Sequence, residues 1–145
     1  MLKTNLKNNL QNLLKSQQLA VLATQSRNNN PYTNLIAFSQ TKKVKEILFG
    51  TLRSTAKYHN IKTNDKVSML FDNRKNTPSD FSKAITVTAI GTAHEVDKQQ
   101  YQDLFLSKHP HLDTFIKNKD CALMMVNVDK YIIVEKFQEK VMPKP

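Results

Sequence analysis

Glycine is nearly absent from this sequence of 145 residues, which has only Gly50 and Gly91. A Gly-x-Gly-x-x-Gly dinucleotide loop or a P-loop needs glycines at much closer spacing, so neither can be written here. Any phosphate the chain holds must therefore be gripped mainly by side chains. Cysteine is scarcer still, and a lone Cys121 excludes an internal disulfide and a Cys-rich metal site. No apolar run approaches the roughly 18 residues of a membrane-spanning helix. The leucines of Met1 to Lys15 are broken up by Lys3, Lys7 and Lys15 rather than gathered into an apolar block. That stretch does not read as a secretory signal, and a cytoplasmic location is the expectation.

Acidic residues are also few, at 12 Asp and Glu against 22 Lys and Arg, for a net charge of +10. Residues 1–65 hold ten cations against only Glu46 and Asp65, whereas residues 66–145 are close to balanced. An excess of this kind suits an anionic ligand. It would also suit nucleic acid, but the lysines are scattered and no zinc-finger spacing or aromatic RNP-like strand accompanies them. Nucleic acid is therefore not the expected partner.

Within the basic half, Leu48 to Lys57 carries the most chemistry. The strand-like Ile47, Leu48 and Phe49 break at Gly50 into Thr51, Arg53, Ser54, Thr55 and Lys57, and a helical pattern follows with Tyr58 and Ile61 on one side. Free N–H groups and the positive dipole end make such a helix start favourable for phosphate. Arg offers a planar fork to phosphate oxygens and Lys a point charge. Ser54 or Thr55 would equally cap an ordinary solvated helix.

Leu2, Leu6, Leu10, Leu13 and Leu14 recur at helical spacing, which predicts an amphipathic opening helix over residues 1–16. Strands are expected at Leu19 to Thr24, Tyr32 to Phe38, Glu46 to Thr51 and Val67 to Phe71. A polar loop then covers Asp72 to Ser82, followed by a long strand from Lys83 to Val96 that bends at Gly91. Two helical stretches, Asp97 to Ser107 and Pro110 to Ile116, precede final strands at Ala122 to Val128 and Tyr131 to Phe137, separated by Asp129-Lys130. Residues 139–145 read as a loose tail. Some seven antiparallel strands without βαβ alternation predict one mainly β domain over residues 1–145, a small barrel rather than a doubly wound sheet.

The ordered pieces Val21-Leu22-Ala23-Thr24, Pro31 to Phe38, Leu48-Phe49-Gly50-Thr51 with Arg53 to Tyr58, Asp65 to Arg74 and Ala84 to Ala93 resemble the pyridoxamine 5′-phosphate oxidase-like family of FMN-binding split barrels. The likeness covers roughly residues 10–137. It implies a Greek-key split β-barrel of six to seven antiparallel strands with short flanking helices. It further implies a homodimer with FMN between the subunits, and an oxidoreductase acting on an unidentified small substrate. Carried over residue by residue, Arg53, Ser54, Thr55 and Lys57 would hold the phosphate, with Thr51 near it or the ribityl chain. The backbone of Leu35, Ile36, Ala37 and Phe38 would run along the isoalloxazine edge. Asn73, Arg74 and the loop from Thr77 to Phe81 would approach from the partner subunit. The family's pyridoxal-phosphate-forming members are longer and carry further basic residues near the C-terminus, where this chain offers Lys136, Lys140 and Lys144. Its haem-degrading members use a histidine in a C-terminal extension, whereas no histidine follows His111 here. A non-catalytic flavin-binding or storage protein is the alternative within the same fold, and a deazaflavin- or haem-binding barrel a more distant one.

No catalytic triad or paired-carboxylate motif appears, so no catalytic residue is assigned. Flavin chemistry needs only binding, orientation and tuning from the protein; Arg74 could supply tuning, or Asp72-Asn73-Arg74 could simply be a turn whose Asp72 accepts local backbone N–H bonds. His59 reads as a surface residue more readily than as a phosphate donor. His109 and His111 flank Pro110 without the further ligands a closed metal site requires. Cys121, Met124 and Met125 read as core and interface filler.

Overall fold

The computed structural model describes residues 2–145, with side chains from Asn5 onward. The Leu2 side chain of the expected apolar stripe lies outside the described residues. Helix α1 (Leu2–Ser16) is followed by strands β1 (Leu19–Gln25), β2 (Pro31–Gln40) and β3 (Glu46–Leu52), then helix α2 (Ala56–Thr63) and strand β4 (Lys66–Asp72). A short helix α3 (Asp80–Lys83) leads into β5 (Ile85–Val96) and α4 (Lys98–Lys108). A 3-10 turn (Pro110–Leu112), α5 (Asp113–Lys117), β6 (Cys121–Glu135) and β7 (Gln138–Pro143) complete the chain.

The sheet runs in the order β3-β2-β1-β4-β5-β6-β7, and β3 also pairs with β6. Six antiparallel strands thus close into a barrel, with β7 attached outside as the second arm of a hairpin. Along every barrel strand, alternate residues turn inward. Leu22, Ile36, Phe38, Ile47, Phe49, Met69, Phe71, Val87, Ala89, Met124 and Val126 form the buried interior. A second cluster, built on Leu48, Phe105, Ile116, Cys121, Leu123 and Met125, lies where α4 and α5 cover the outer face of β3 and β6.

Each end of the barrel is plugged by a helix. The leucines of α1 (Leu10, Leu13 and Leu14) are buried in the barrel core, and Leu6 and Leu10 meet Ile85, Val87 and Ile133. At the opposite end α2 inserts Tyr58 and Ile61, and its polar side is tied to β1 by Asn60 Nδ2 to Thr24 Oγ1 (3.0 Å) and Asn64 Nδ2 to Gln25 Oε1 (2.7 Å).

The two glycines sit at points of close approach. A Cβ on Gly91 would lie 2.1 Å from the carbonyl oxygen of Asn127. The cause is a bulge: Ile90 faces Lys130 and Gly91 faces Val128, so Asp129 is the extra residue on β6. The expected bend at Gly91 is this crossing. Gly50 lies beneath α5, where a Cβ would meet Ile116 Cδ1 at 2.6 Å.

Three expectations need correction. Asp129-Lys130 does not separate a pair of strands, because β6 runs on through the bulge with β5 beside it on both sides. The tail expected to be loose over residues 139–145 is largely β7, paired with β6 from Glu135↔Gln138 to Lys130↔Pro143. The turn between them places both Lys136 (φ 50°) and Phe137 (φ 64°) in the left-handed region that two-residue hairpins require. Neither is the Asn or Gly that usually announces such a turn, so Phe137 reads from sequence as strand. The third correction is α3, which forms inside the expected loop of residues 72–82. The count of seven strands stands, although one expected strand is absorbed into β6 and β7 takes its place.

Gly91→Ala is expected to destabilise the fold by about 2–3 kcal/mol, because backbone rather than a flexible side chain must give way. Gly50→Ala, which meets only side-chain ends, should cost clearly less. Urea unfolding midpoints of the two variants test the contrast, and equal costs would contradict the bulge as the cause.

Candidate functional site

The barrel is split along one seam. β2 pairs with β1 from Ala37↔Leu19 to Pro31↔Gln25, but with β3 only at Phe38↔Phe49, Ser39↔Leu48 and Gln40↔Ile47. Before Phe38, β2 veers from its neighbour. Because Phe38 N–H is directed to Gln18 O on the β1 side, the backbone groups of Thr33, Leu35 and Ala37 point the other way, along the edge β3 has left. The Leu35 side chain is 64% exposed on the outer face, whereas Ile36 and Phe38 fill the interior. Asn34 also turns inward, and its Oδ1 is buried without a hydrogen-bond partner.

Across the seam, β3 ends and the chain turns into α2. Thr55 caps the helix in extended conformation (φ −81°, ψ 155°), and its Oγ1 accepts from Tyr58 N. The same hydroxyl lies 2.7 Å from Oγ1 of the buried Thr51 and donates to Leu52 O at 2.8 Å. Thr51 and Thr55 are thus already engaged in shaping the turn. Ser54 is exposed, and Lys57 is half-buried with no acidic partner among the described residues. The N–H groups of Ala56 and Lys57 meet no acceptor there either, as expected at the first turn of a helix.

Arg53 is committed more firmly than its neighbours. Its Nη2 donates to Glu95 Oε2 at 2.6 Å, its Nη1 to Lys119 O at 2.7 Å, and its backbone N–H to Asp120 O at 2.9 Å. Tyr58 donates its hydroxyl to the other oxygen of Glu95 at 2.8 Å. Burial pushes the Glu95 carboxyl up, but the bonds from Arg53 and Tyr58 outweigh it and hold the group below the usual carboxylate range. Beside this network an open cleft of about 460 Å³ is lined by Leu52, Arg53, Ser54, Asn118 and Asp120. His59 is exposed on α2, its ring edge-on to Tyr58.

The remaining predicted residues stand at the other end of the molecule. Asn73 is locked to the start of β5, its Oδ1 accepting from Ile85 N at 2.7 Å. Arg74 Nε donates to Asp72 Oδ2 at 2.9 Å, and its side chain shares a shallow hollow of about 360 Å³ with Leu19, Val21, Leu35 and Leu70. Asp72 pairs with Thr86 near the start of β5, while Glu95 lies near its end. At about 3.3 Å per residue the two stations are roughly 30 Å apart along the strand. One chain therefore brings together Thr51, Arg53, Ser54, Thr55 and Lys57, sets the β2 edge across the seam from them, and keeps Asn73 and Arg74 well away.

The loop before α3 is held in shape by Asp80, whose carboxylate accepts the backbone N–H groups of Lys75, Asn76 and Thr77 at 2.7–3.2 Å. Those bonds, from Lys75 foremost, keep its pKa low. Within α3, Phe81 (71% exposed) stacks its ring nearly parallel to that of Phe137 (80% exposed).

Two groups behind β2 have roles that the sequence reading did not foresee. Lys108 Nζ sits 3.8 Å from the centre of the Phe38 ring and donates to Leu14 O and Gln40 Oε1, both at 2.9 Å. His109, fully buried, donates Nε2–H to Phe38 O at 2.6 Å. The pair fastens the end of β2 to α4 and to the last turn of α1. Glu95 and Tyr58 were missed as well. Their signal was an acid on the face of β5 otherwise occupied by Val87, Ala89 and Ala93.

The model of the pyridoxamine 5′-phosphate oxidase family matches residues 6–133. The chain belongs to that family. Its structural neighbours share the split barrel at low identity. A haem-binding protein from Mycobacterium smegmatis superposes with a TM-score of 0.82 at 12% identity, over 92% of this chain and 56% of that one. A protein related to general stress protein 26, of the pyridoxinephosphate oxidase family, from Clostridium acetobutylicum gives 0.77 at 13%, over 96% and 94%. General stress protein 26 from Bacillus anthracis gives 0.75 at 19%, over 96% and 98%. This family member thus spans little more than half of the haem-binding protein and almost all of the two stress-protein relatives. No curated protein matches the chain in sequence. No described helix is long and apolar enough to cross a membrane.

The clamp behind β2 gives the fold a distinct pH response. Burial pushes Lys108 down from 10.5 to about 8, the ring face and two acceptors notwithstanding. Between those values the unfolded chain binds a proton the native chain does not, so stability should rise with pH, by on the order of 2 kcal/mol. Above about pH 10 the trend reverses, since burial holds the proton on Tyr131, whose hydroxyl donates to Val44 O, while unfolded tyrosine releases it. Lys108→Met should abolish the rise and keep the fall. Denaturation midpoints measured from pH 7 to 11 test this, and an unaltered profile in the variant would exclude Lys108 as the source.

Proposed function

We propose that this chain is an FMN-binding flavoprotein, working as a homodimer with the flavin between subunits, and an oxidoreductase toward a small substrate. The observation that carries the reading is the donor set at the start of α2. Ser54, Lys57 and the free N–H groups of Ala56 and Lys57 all belong to the first turn of α2 and the residues just before it, at the positive end of a helix, a chemistry suited to a phosphate dianion. Arg53 adds charge and the unused N–H groups of its fork. Thr51 and Thr55 shape the turn that presents these donors.

Distance supports the dimer. Asn73 and Arg74 stand at the end of the barrel away from Arg53 and Lys57, so one ligand meets both groups only if the second comes from another copy. The exposed Leu19 and Leu35 beside Arg74 give the subunits an apolar surface to share. The free edge of β2 offers backbone donors and acceptors to the rim of a planar ring, and the clamp of Lys108 and His109 keeps that edge still. Arg74 is the cation available to balance charge on the reduced ring.

FMN, when bound, supplies the hydride- and electron-transfer chemistry. The chain's residues bind it, orient it and limit access to it. A flavin carrier without turnover would use the same residues, and an assay with nicotinamide electron donors separates the two.

Lys57→Ala is expected to raise the FMN dissociation constant about tenfold and to change that of riboflavin, which lacks the phosphate, by no more than about twofold. Fluorescence titration of both flavins provides the test, and equal losses would refute the phosphate assignment. Sedimentation of the flavin-loaded protein should give a dimer; a flavin-saturated monomer would contradict the interface.

A further inference from the structure

Among the described residues, Glu95 is the acid whose carboxylate bonds to the cationic loop, and it belongs to none of the expected ligands. Its two oxygens are used by different partners, Oε2 by Arg53 (2.6 Å) and Oε1 by Tyr58 (2.8 Å). Those partners flank Ser54, Thr55 and Lys57 in sequence. Arg53 precedes them and is held from its other side by Lys119 O and Asp120 O. Tyr58 follows them, and its ring is buried beneath α2 in the barrel core. The carboxylate therefore grips both ends of the loop at once, from a strand that belongs to the rigid barrel.

We propose that Glu95 is the positioning residue of the phosphate seat, pinning Arg53 and Tyr58 so that Ser54, Lys57 and the first N–H groups of α2 face a common point. This rests on the phosphate assignment made above. Glu95 does not itself touch the phosphate, since two anions would repel. Its charge is spent on Arg53, whose guanidinium serves first as a strut and only with its spare N–H groups as a donor. The side chains of Arg53 and Glu95 are 39% and 29% exposed. The pair is thus shielded enough to keep its geometry and open enough that the loop it holds borders solvent.

The mechanical side of the proposal is testable without any flavin. In the ligand-free protein, Glu95→Gln preserves shape but loses the ionic grip, and amide hydrogen exchange at Tyr58 to Ile61 should quicken severalfold while β4 and β5 amides stay as they are. With ligand, the same variant should bind FMN about tenfold more weakly and riboflavin nearly unchanged. Tyr58→Phe, which frees one carboxylate oxygen only, should show a smaller change in the same direction. Unchanged exchange at α2 would overturn the proposal, as would equal weakening of both flavins. Tighter FMN binding in Glu95→Gln would overturn it too, making the carboxylate a competitor of the phosphate. If the wild type takes up no FMN yet Glu95→Gln still loosens α2, Glu95 is a positioning residue of this loop and the flavin reading is what fails.

Discussion

β2 is held to β1 along seven residue pairs and to β3 along three. That imbalance governs the rest of the molecule. A barrel strand with one neighbour over half its length keeps a row of backbone donors and acceptors out of the ladder, and such groups seek a partner. The barrel tolerates the defect because β3 is secured elsewhere, by seven pairs with β6. It also tolerates it because Lys108 and His109 fasten β2 from behind at Phe38 and Gln40. The seam thus stays open without spreading. A cationic turn lies on one side of it and an unsaturated strand edge on the other, and the distance between them is set by the barrel.

Rigidity has a second consequence. A closed barrel plugged by a helix at each end cannot fold its ends toward one another, so the basic turn before α2 and the Asn73–Arg74 corner are separated for good within one chain. The hollows beside each are open and shallow. In the reading proposed here, the ligand is enclosed only when two such incomplete sites face each other. Binding and association are then coupled: whatever occupies the interface also stabilises the dimer.

Much of this was legible from residues. Alternation marked β4 and β5, because each has one face in the core and one outside, short apolar runs marked β1 and β3, and the break at Gly50 into hydroxyls and cations located the α2 turn. Charge asymmetry pointed to the same segment. Hidden from sequence were the features that depend on distant partners. Nothing local to Asp129 shows that β6 continues through it, since the bulge is defined by Gly91 on another strand. Lys136 and Phe137 lack turn chemistry of the usual kind and take left-handed backbone because the β6–β7 ladder requires it. Arg53 looks like a free phosphate donor until β5 folds Glu95 against it. Half-buried Lys108 reads as one more solvated lysine at the end of a helix, and only the α1 and β2 contacts reveal its cost.

The β7 hairpin bears on behaviour at high concentration. Within the second half of β6, Ile132 and Val134 belong to a stretch that would otherwise present an unpaired, β-branched border. Such borders recruit other chains. β7 covers it with a strand that is itself a poor template, carrying Glu139 and Lys140 outward and ending at Pro143, which has no amide proton to offer. β7 therefore serves as a hem, bordering β6 with an edge that a neighbouring molecule cannot readily extend.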